Sequence, residues 1–101
     1  MGKEEIKNKI NETVKASKFK DQIKKILLFG SYLQGKEKKN SDIDLLIDFN
    51  QSARIGFFDL FDIEKELEKS LKKQVDLVTP NSLSKYFRKE VLNSAEVVYE
   101  K

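Results

Sequence analysis

Apolar residues recur at every fourth position near the start of the chain, where Ile6, Ile10 and Val14 stand among charged neighbours. That stripe predicts a helix over residues 3–17, packed along one narrow side and solvated elsewhere. Ile26-Leu27-Leu28-Phe29 is a short unbroken apolar run closed by Gly30. It reads as a buried strand entering a tight turn, with a short helix expected from Ser31. Residues 35–41 are polar, lysine-rich and without period, which predicts a surface loop. From Asp42 to Phe49 the pattern alternates, placing Ile43, Leu45, Ile47 and Phe49 on one face of a strand and Asp42, Asp44, Leu46 and Asp48 on the other. After a connection over residues 50–56, Phe57, Leu60, Phe61, Leu67 and Leu71 mark a long amphipathic helix ending near Lys73. Gln74 to Thr79 reads as a third strand stopped by Pro80. Asn81 or Ser82 is then placed to cap a last helix that carries Leu83, Tyr86, Phe87 and Val91 inward. Val97-Val98-Tyr99 is compatible with a short edge strand.

The order αβαβαβα, with a final β if that edge strand forms, predicts an α/β or α+β fold: a mixed sheet of three to four strands flanked by helices. With 101 residues the chain is expected to be a single domain, 1–101, large enough for one layered core and too small for a second lobe. Twenty basic against 17 acidic residues leave a net charge of +3, and Arg54 and Arg88 are the only arginines, so direct nucleic-acid binding is not predicted. The absence of cysteine, histidine and tryptophan excludes disulfides, thiol nucleophiles, most zinc sites and a histidine base. Carboxylates, hydroxyls and lysines must carry any chemistry. No apolar run approaches the ~20 residues of a membrane span, and the first residues lack the apolar stretch of a signal peptide. The expectation is a cytoplasmic protein without a membrane association.

Within this frame, Gly30-Ser31 is followed after ten residues by Asp42-Ile43-Asp44, and a lone acid, Asp76, interrupts the apolar run Val75-Asp76-Leu77-Val78. A glycine-serine turn between strand and helix lets phosphate approach the backbone N–H groups and the Ser31 hydroxyl. Asp42 and Asp44, two apart, share one strand face, and Asp76 joins them if the third strand lies beside the second. Three carboxylates so close repel unless a cation lies among them, and hard oxygen donors suit Mg²⁺. Asp44 and Asp76 stand inside apolar runs, where an unpaired charge is costly, although a lysine partner for Asp76 is the alternative. Asp48, a strand length from the turn, reads as a solvated turn or cap residue. Lys36, Lys38 and Lys39 either add positive charge around the phosphate or belong to a solvated loop.

The stretches Gly30-Ser31-Tyr32-Leu33-Gln34-Gly35, Ser41 to Phe49 and Val75 to Val78 together resemble the minimal nucleotidyltransferase (MNT) family of the polymerase-beta-like superfamily. The resemblance implies an NTP substrate with Mg²⁺ and transfer of a nucleoside monophosphate to an acceptor with release of pyrophosphate. Gly30 and Ser31 would hold the triphosphate, Asp42 and Asp44 would ligate metal, and Asp76 would complete the metal site and help activate the acceptor hydroxyl. It further implies pairing with a HEPN-domain toxin, the chain acting as antitoxin by moving AMP from ATP to a tyrosine of its partner. Phe57, Phe58 and Tyr86 are candidates for a docking face, with core packing as the simpler assignment. The family commonly carries Ala-Arg-Gly where this chain has Leu33-Gln34-Gly35, so a phosphate-contacting arginine is replaced by an uncharged amide. That substitution keeps open a binding-only antitoxin with a degenerate site. Transfer to a small molecule is the other alternative, and would call for a homodimer to build the pocket.

Overall fold

The structure, a computed structural model, describes residues 1–101. Helix α1 (Lys3–Ala16) leads to strand β1 (Ile23–Phe29), the single-turn helix α2 (Ser31–Gln34) and strand β2 (Ile43–Phe49). Helix α3 (Phe57–Leu71), strand β3 (Val75–Val78), a 3₁₀ turn (Pro80–Ser82), helix α4 (Lys85–Ser94) and strand β4 (Glu96–Glu100) complete the chain. The sheet order is β3-β2-β1-β4, with β1 antiparallel to both β2 and β4 and β2 parallel to β3. The mixed sheet of the sequence reading is therefore present, and its fourth strand is the C-terminal one. The parallel pair requires a crossover, which α3 supplies.

Alternation along the strands divides the sheet into two unequal faces. Ile26 and Leu28 of β1, Ile43, Leu45 and Ile47 of β2, Val75 and Leu77 of β3 and Val98 of β4 point to one side. There they meet Ile6, Ile10 and Val14 of α1 and Ile63, Leu67 and Leu71 of α3 in a single buried cluster. The opposite face buries only Leu27, Leu46 and Val91, the last from α4. This second face stays apolar at its centre and open toward the ends of β1, β2 and β3, where the acids lie. No helix is long and apolar enough to cross a membrane.

Two helix faces differ from the periodicity. In α3 the inward set is Ile63, Leu67 and Leu71, while Phe57 and Phe58 are 78% and 80% exposed and Phe61 is exposed as well. The first turn, Phe57-Phe58-Asp59-Leu60-Phe61, is apolar almost all round, so spacing alone does not choose its buried side. In α4 only Val91 is buried; Tyr86 and Phe87 are exposed, and neither is carried inward. The core-packing assignment for Phe57, Phe58 and Tyr86 is thereby overturned. Their position also bears on docking. Asp44 stands near the start of β2, whereas Phe57 and Phe58 open the helix that follows the far end of that strand.

The cap of α4 is Ser84, not Asn81 or Ser82. Pro80–Ser82 closes a 3₁₀ turn in which the Thr79 N–H donates to Ser82 Oγ and Ser82 Oγ donates to the Thr79 carbonyl, so Ser82 is already engaged. Ser84 Oγ accepts the Phe87 N–H at 3.3 Å. Replacing Ser84 with alanine is expected to cost about 1 kcal/mol and lower Tm by ~4–8 °C, read by thermal denaturation.

Candidate active site

Phe29 ends β1 opposite Asp44, and Asp44 in turn pairs with Asp76 across the parallel strands. The three positions thus lie in one row across the sheet, on the face away from α1 and α3. Gly30 follows with φ 79° and ψ −152°, a backbone region open essentially to glycine alone. A Cβ there would stand 3.0 Å from Asp44 Cγ and overlap its Oδ2. Two requirements meet at one residue: the turn needs a conformation that side chains forbid, and the carboxylate fills the space a side chain would take. Ser31 then opens α2, which Gly35 closes in the left-handed conformation, its N–H donating to the Ser31 carbonyl. Tyr32 is buried and anchors the turn to the core.

Asp42 lies immediately ahead of β2 and is exposed, Asp44 is half-buried, and Asp76 is exposed on the edge strand. Glu68 positions that edge. Its carboxylate accepts the Val75 N–H at 3.0 Å and meets Lys65 Nζ at 3.0 Å. The Val75 N–H and then Lys65 hold its pKa below the ordinary value. Asp44 shifts the other way: burial, then the charges of Asp76 and Asp42, raise its pKa. The three sequence-selected acids are therefore close enough to feel one another. They do not converge into a cage, since no group of three carboxylates stands ready to grip one ion. Carboxylates this near one another repel, and a cation among them relieves that repulsion. The donor set itself, hard carboxylate oxygens close together, fits a divalent cation such as Mg²⁺.

The sign of the Asp44 shift makes a prediction. A carboxyl whose folded pKa exceeds its unfolded value of 3.8 supports folding while protonated, and this support is lost as pH rises through the folded pKa. Asp44→Asn should then raise Tm of the chelator-treated protein at pH 7 by a few degrees. The difference should vanish near pH 3, where both forms are neutral; scanning calorimetry against pH checks it.

Asp48 is not a turn or cap residue but a strand residue paired with Lys25 of β1. Gln34 is exposed and lines a groove of about 330 Å³ with Phe29, Gly30, Phe87, Glu90, Val91 and Ser94. This wall from α4 departs from the sequence pattern, whose periodicity assigns Phe87 to the core. On the other side of Asp42 lies a wholly polar pocket of about 320 Å³, lined by Lys39, Asn40, Ser41, Asp42, Lys72, Lys73 and Gln74. Of the three loop lysines, Lys39 alone lines it; Lys36 and Lys38 are solvated.

The profile of the polymerase beta nucleotidyltransferases matches residues 8–101 of this chain. A relative named protein adenylyltransferase MntA, from Thermococcus cleftensis, is 36% identical over 96 residues, covering 95% of this chain and 93% of its own. A Methanocaldococcus jannaschii chain, provisionally named a protein adenylyltransferase, is 36% identical over 88 residues, 87% of this chain and 92% of its own. Among solved structures, a toxin-antitoxin crystal structure with AMP-PNP superposes with a TM-score of 0.75 at 26% identity, covering 94% of this chain and 73% of that one.

Proposed function

The chain belongs to the polymerase beta nucleotidyltransferases, and we propose that it is of the minimal form that pairs with a HEPN toxin and that it transfers AMP from ATP to a hydroxyl of that toxin, a tyrosine by the family resemblance. The observation that carries this reading is the juxtaposition of Gly30 against the Asp44 carboxylate on one side and of Asp76, exposed, across the parallel strands on the other, which supports a phosphate-holding turn beside a pair of metal-binding acids. The similarity to protein adenylyltransferases, and to a toxin-antitoxin structure with AMP-PNP, supports ATP as the donor and a protein as the acceptor.

In this reading the Gly30 backbone and the Ser31 hydroxyl hold the β and γ phosphates, and Asp42, Asp44 and Asp76 would hold Mg²⁺. When bound, the ion supplies neutralisation of phosphate charge and lowers the pKa of an acceptor hydroxyl. Asp76, exposed at the sheet edge, orients that hydroxyl and accepts its proton. The acceptor oxygen attacks the α phosphorus in line, the bond to pyrophosphate breaks, and AMP remains on the acceptor. Positioning and electrostatics suffice for such a displacement, consistent with the absence of histidine and cysteine.

One observation favours binding-only neutralisation: Gln34 brings no charge to the groove beside Gly30. Incubation of the chain and a HEPN toxin with ATP labelled at either the α or the γ phosphate separates the readings. Label retained on the toxin from the α position only is expected; label from the γ position, or none, rejects AMP transfer.

A further inference from the structure

The polar pocket beside Asp42 holds three lysines, Lys39, Lys72 and Lys73, and none of them pairs with a carboxylate; the ion pairs of the chain are Lys3–Glu96 and Lys65–Glu68. The pocket is held in shape rather than being a chance meeting of loops. Lys73 Nζ donates to the Lys39 carbonyl at 3.2 Å, tying the β2-leading loop to the turn before β3, and Ser41 Oγ accepts the Lys38 N–H at 2.7 Å. Lys72 is the only non-glycine residue with positive φ, 56°, a conformation that glycine or asparagine adopts at lower cost. The positive φ of Lys72 belongs to the left-handed cap that ends α3, and three lysines against the single carboxylate of Asp42 leave the pocket with an excess of positive charge that an anion would stabilise.

Its place across the sheet selects the anion. At this end of the sheet Gly30 follows β1, Asp42 precedes β2, and Lys72, Lys73 and Gln74 precede β3, so the lateral order is cradle, acids, lysine pocket. An in-line displacement puts leaving group and acceptor on opposite sides of the α phosphorus. With pyrophosphate leaving toward Gly30 and Ser31, the lysines fall on the acceptor's side. We propose that this pocket grips an acidic stretch of polypeptide next to the acceptor hydroxyl, steering the partner onto Asp76. This rests on the transfer reading above for its direction across the site. A nucleic acid fits less well, because the pocket has neither arginine nor an aromatic ring for a base to stack on.

The test is the affinity of the chain for its HEPN toxin, measured by calorimetry at low and physiological salt for wild type, Lys39→Ala/Lys72→Gly and Lys39→Arg/Lys72→Arg. Glycine relieves the positive φ at residue 72, so loss of folding does not confound the first variant. Removing two charges should weaken toxin binding ~5–20-fold at low salt and flatten its salt dependence, with the arginine pair close to wild type. The acceptor KM should rise in parallel, with kcat and the KM for ATP unchanged. Unchanged toxin affinity, a loss confined to ATP, or tighter wild-type binding to a short RNA than to the toxin would each overturn the proposal. Toxin affinity is read without turnover, so a wild type that binds but transfers nothing refutes the proposed function and still decides the pocket.

Discussion

Asp42→Asn/Asp44→Asn should lower AMP transfer by at least ~10³-fold while leaving the fold and partner binding in place. Asp44 is the centre of the row that joins Phe29 and Asp76 across the sheet, and Asp42 adds the exposed carboxylate next to it. Asparagine keeps the shape of both side chains and removes the two charges that Mg²⁺ and a triphosphate would need. Neither residue belongs to the buried clusters, and neutralising Asp44 relieves the burial of its charge and then the repulsion from Asp76 and Asp42 that together raise its pKa. The variant should accordingly be no less stable than wild type, which ties any lost transfer to chemistry. A second signature is independent of turnover: Mg²⁺ should raise Tm of wild type and leave that of the variant unmoved.

Of the four glycines, Gly30 is the one where an added methyl group should do the most damage. The backbone at φ 79°, ψ −152° costs a residue with a Cβ ~1–3 kcal/mol, and the methyl also overlaps the Asp44 carboxylate. A drop in Tm of ~5–15 °C is expected for a domain of this size, with transfer reduced at least ~10²-fold as Asp44 is pushed from the row. Gly35→Ala separates the two effects. Gly35 also has positive φ, 71°, but an added Cβ meets nothing within 4 Å. It should lose less stability, because its left-handed conformation is one that Lys72 also adopts, and keep most of the transfer activity of the protein that remains folded. Equal losses of activity in both variants would mean that contact with Asp44 is not what makes Gly30 necessary.

The parts of this site that local pattern can encode are legible in the sequence. Clean alternation over Ile43–Phe49 placed Asp44 on the face opposite the main core, and the run ending at Phe29 placed Gly30 at a strand-to-helix turn. Asp76 entered as an acid in an apolar run, and its pairing with Asp44 depended on β3 lying beside β2, as it does. What escaped depends on elements that are remote in sequence or ambiguous in period. Phe57, Phe58 and Phe61 crowd the first turn of α3, and only tertiary packing decides that Ile63 turns inward and the phenylalanines outward. The cap of α4 moved to Ser84 because Ser82 is occupied by the 3₁₀ turn. The lysine pocket joins the loop before β2 to the turn after α3, and no spacing rule links Lys39 to Lys72 and Lys73.

The most direct test of the central claim is peptide mass spectrometry of the HEPN toxin after incubation with the chain, ATP and Mg²⁺, run beside Asp44→Asn. The expected result is an AMP group on a toxin hydroxyl, on tyrosine, with wild type and none with the variant. An unmodified toxin that wild type nevertheless neutralises, or the same modification from Asp44→Asn, would contradict the assignment of Asp44 and its neighbours as the transfer site.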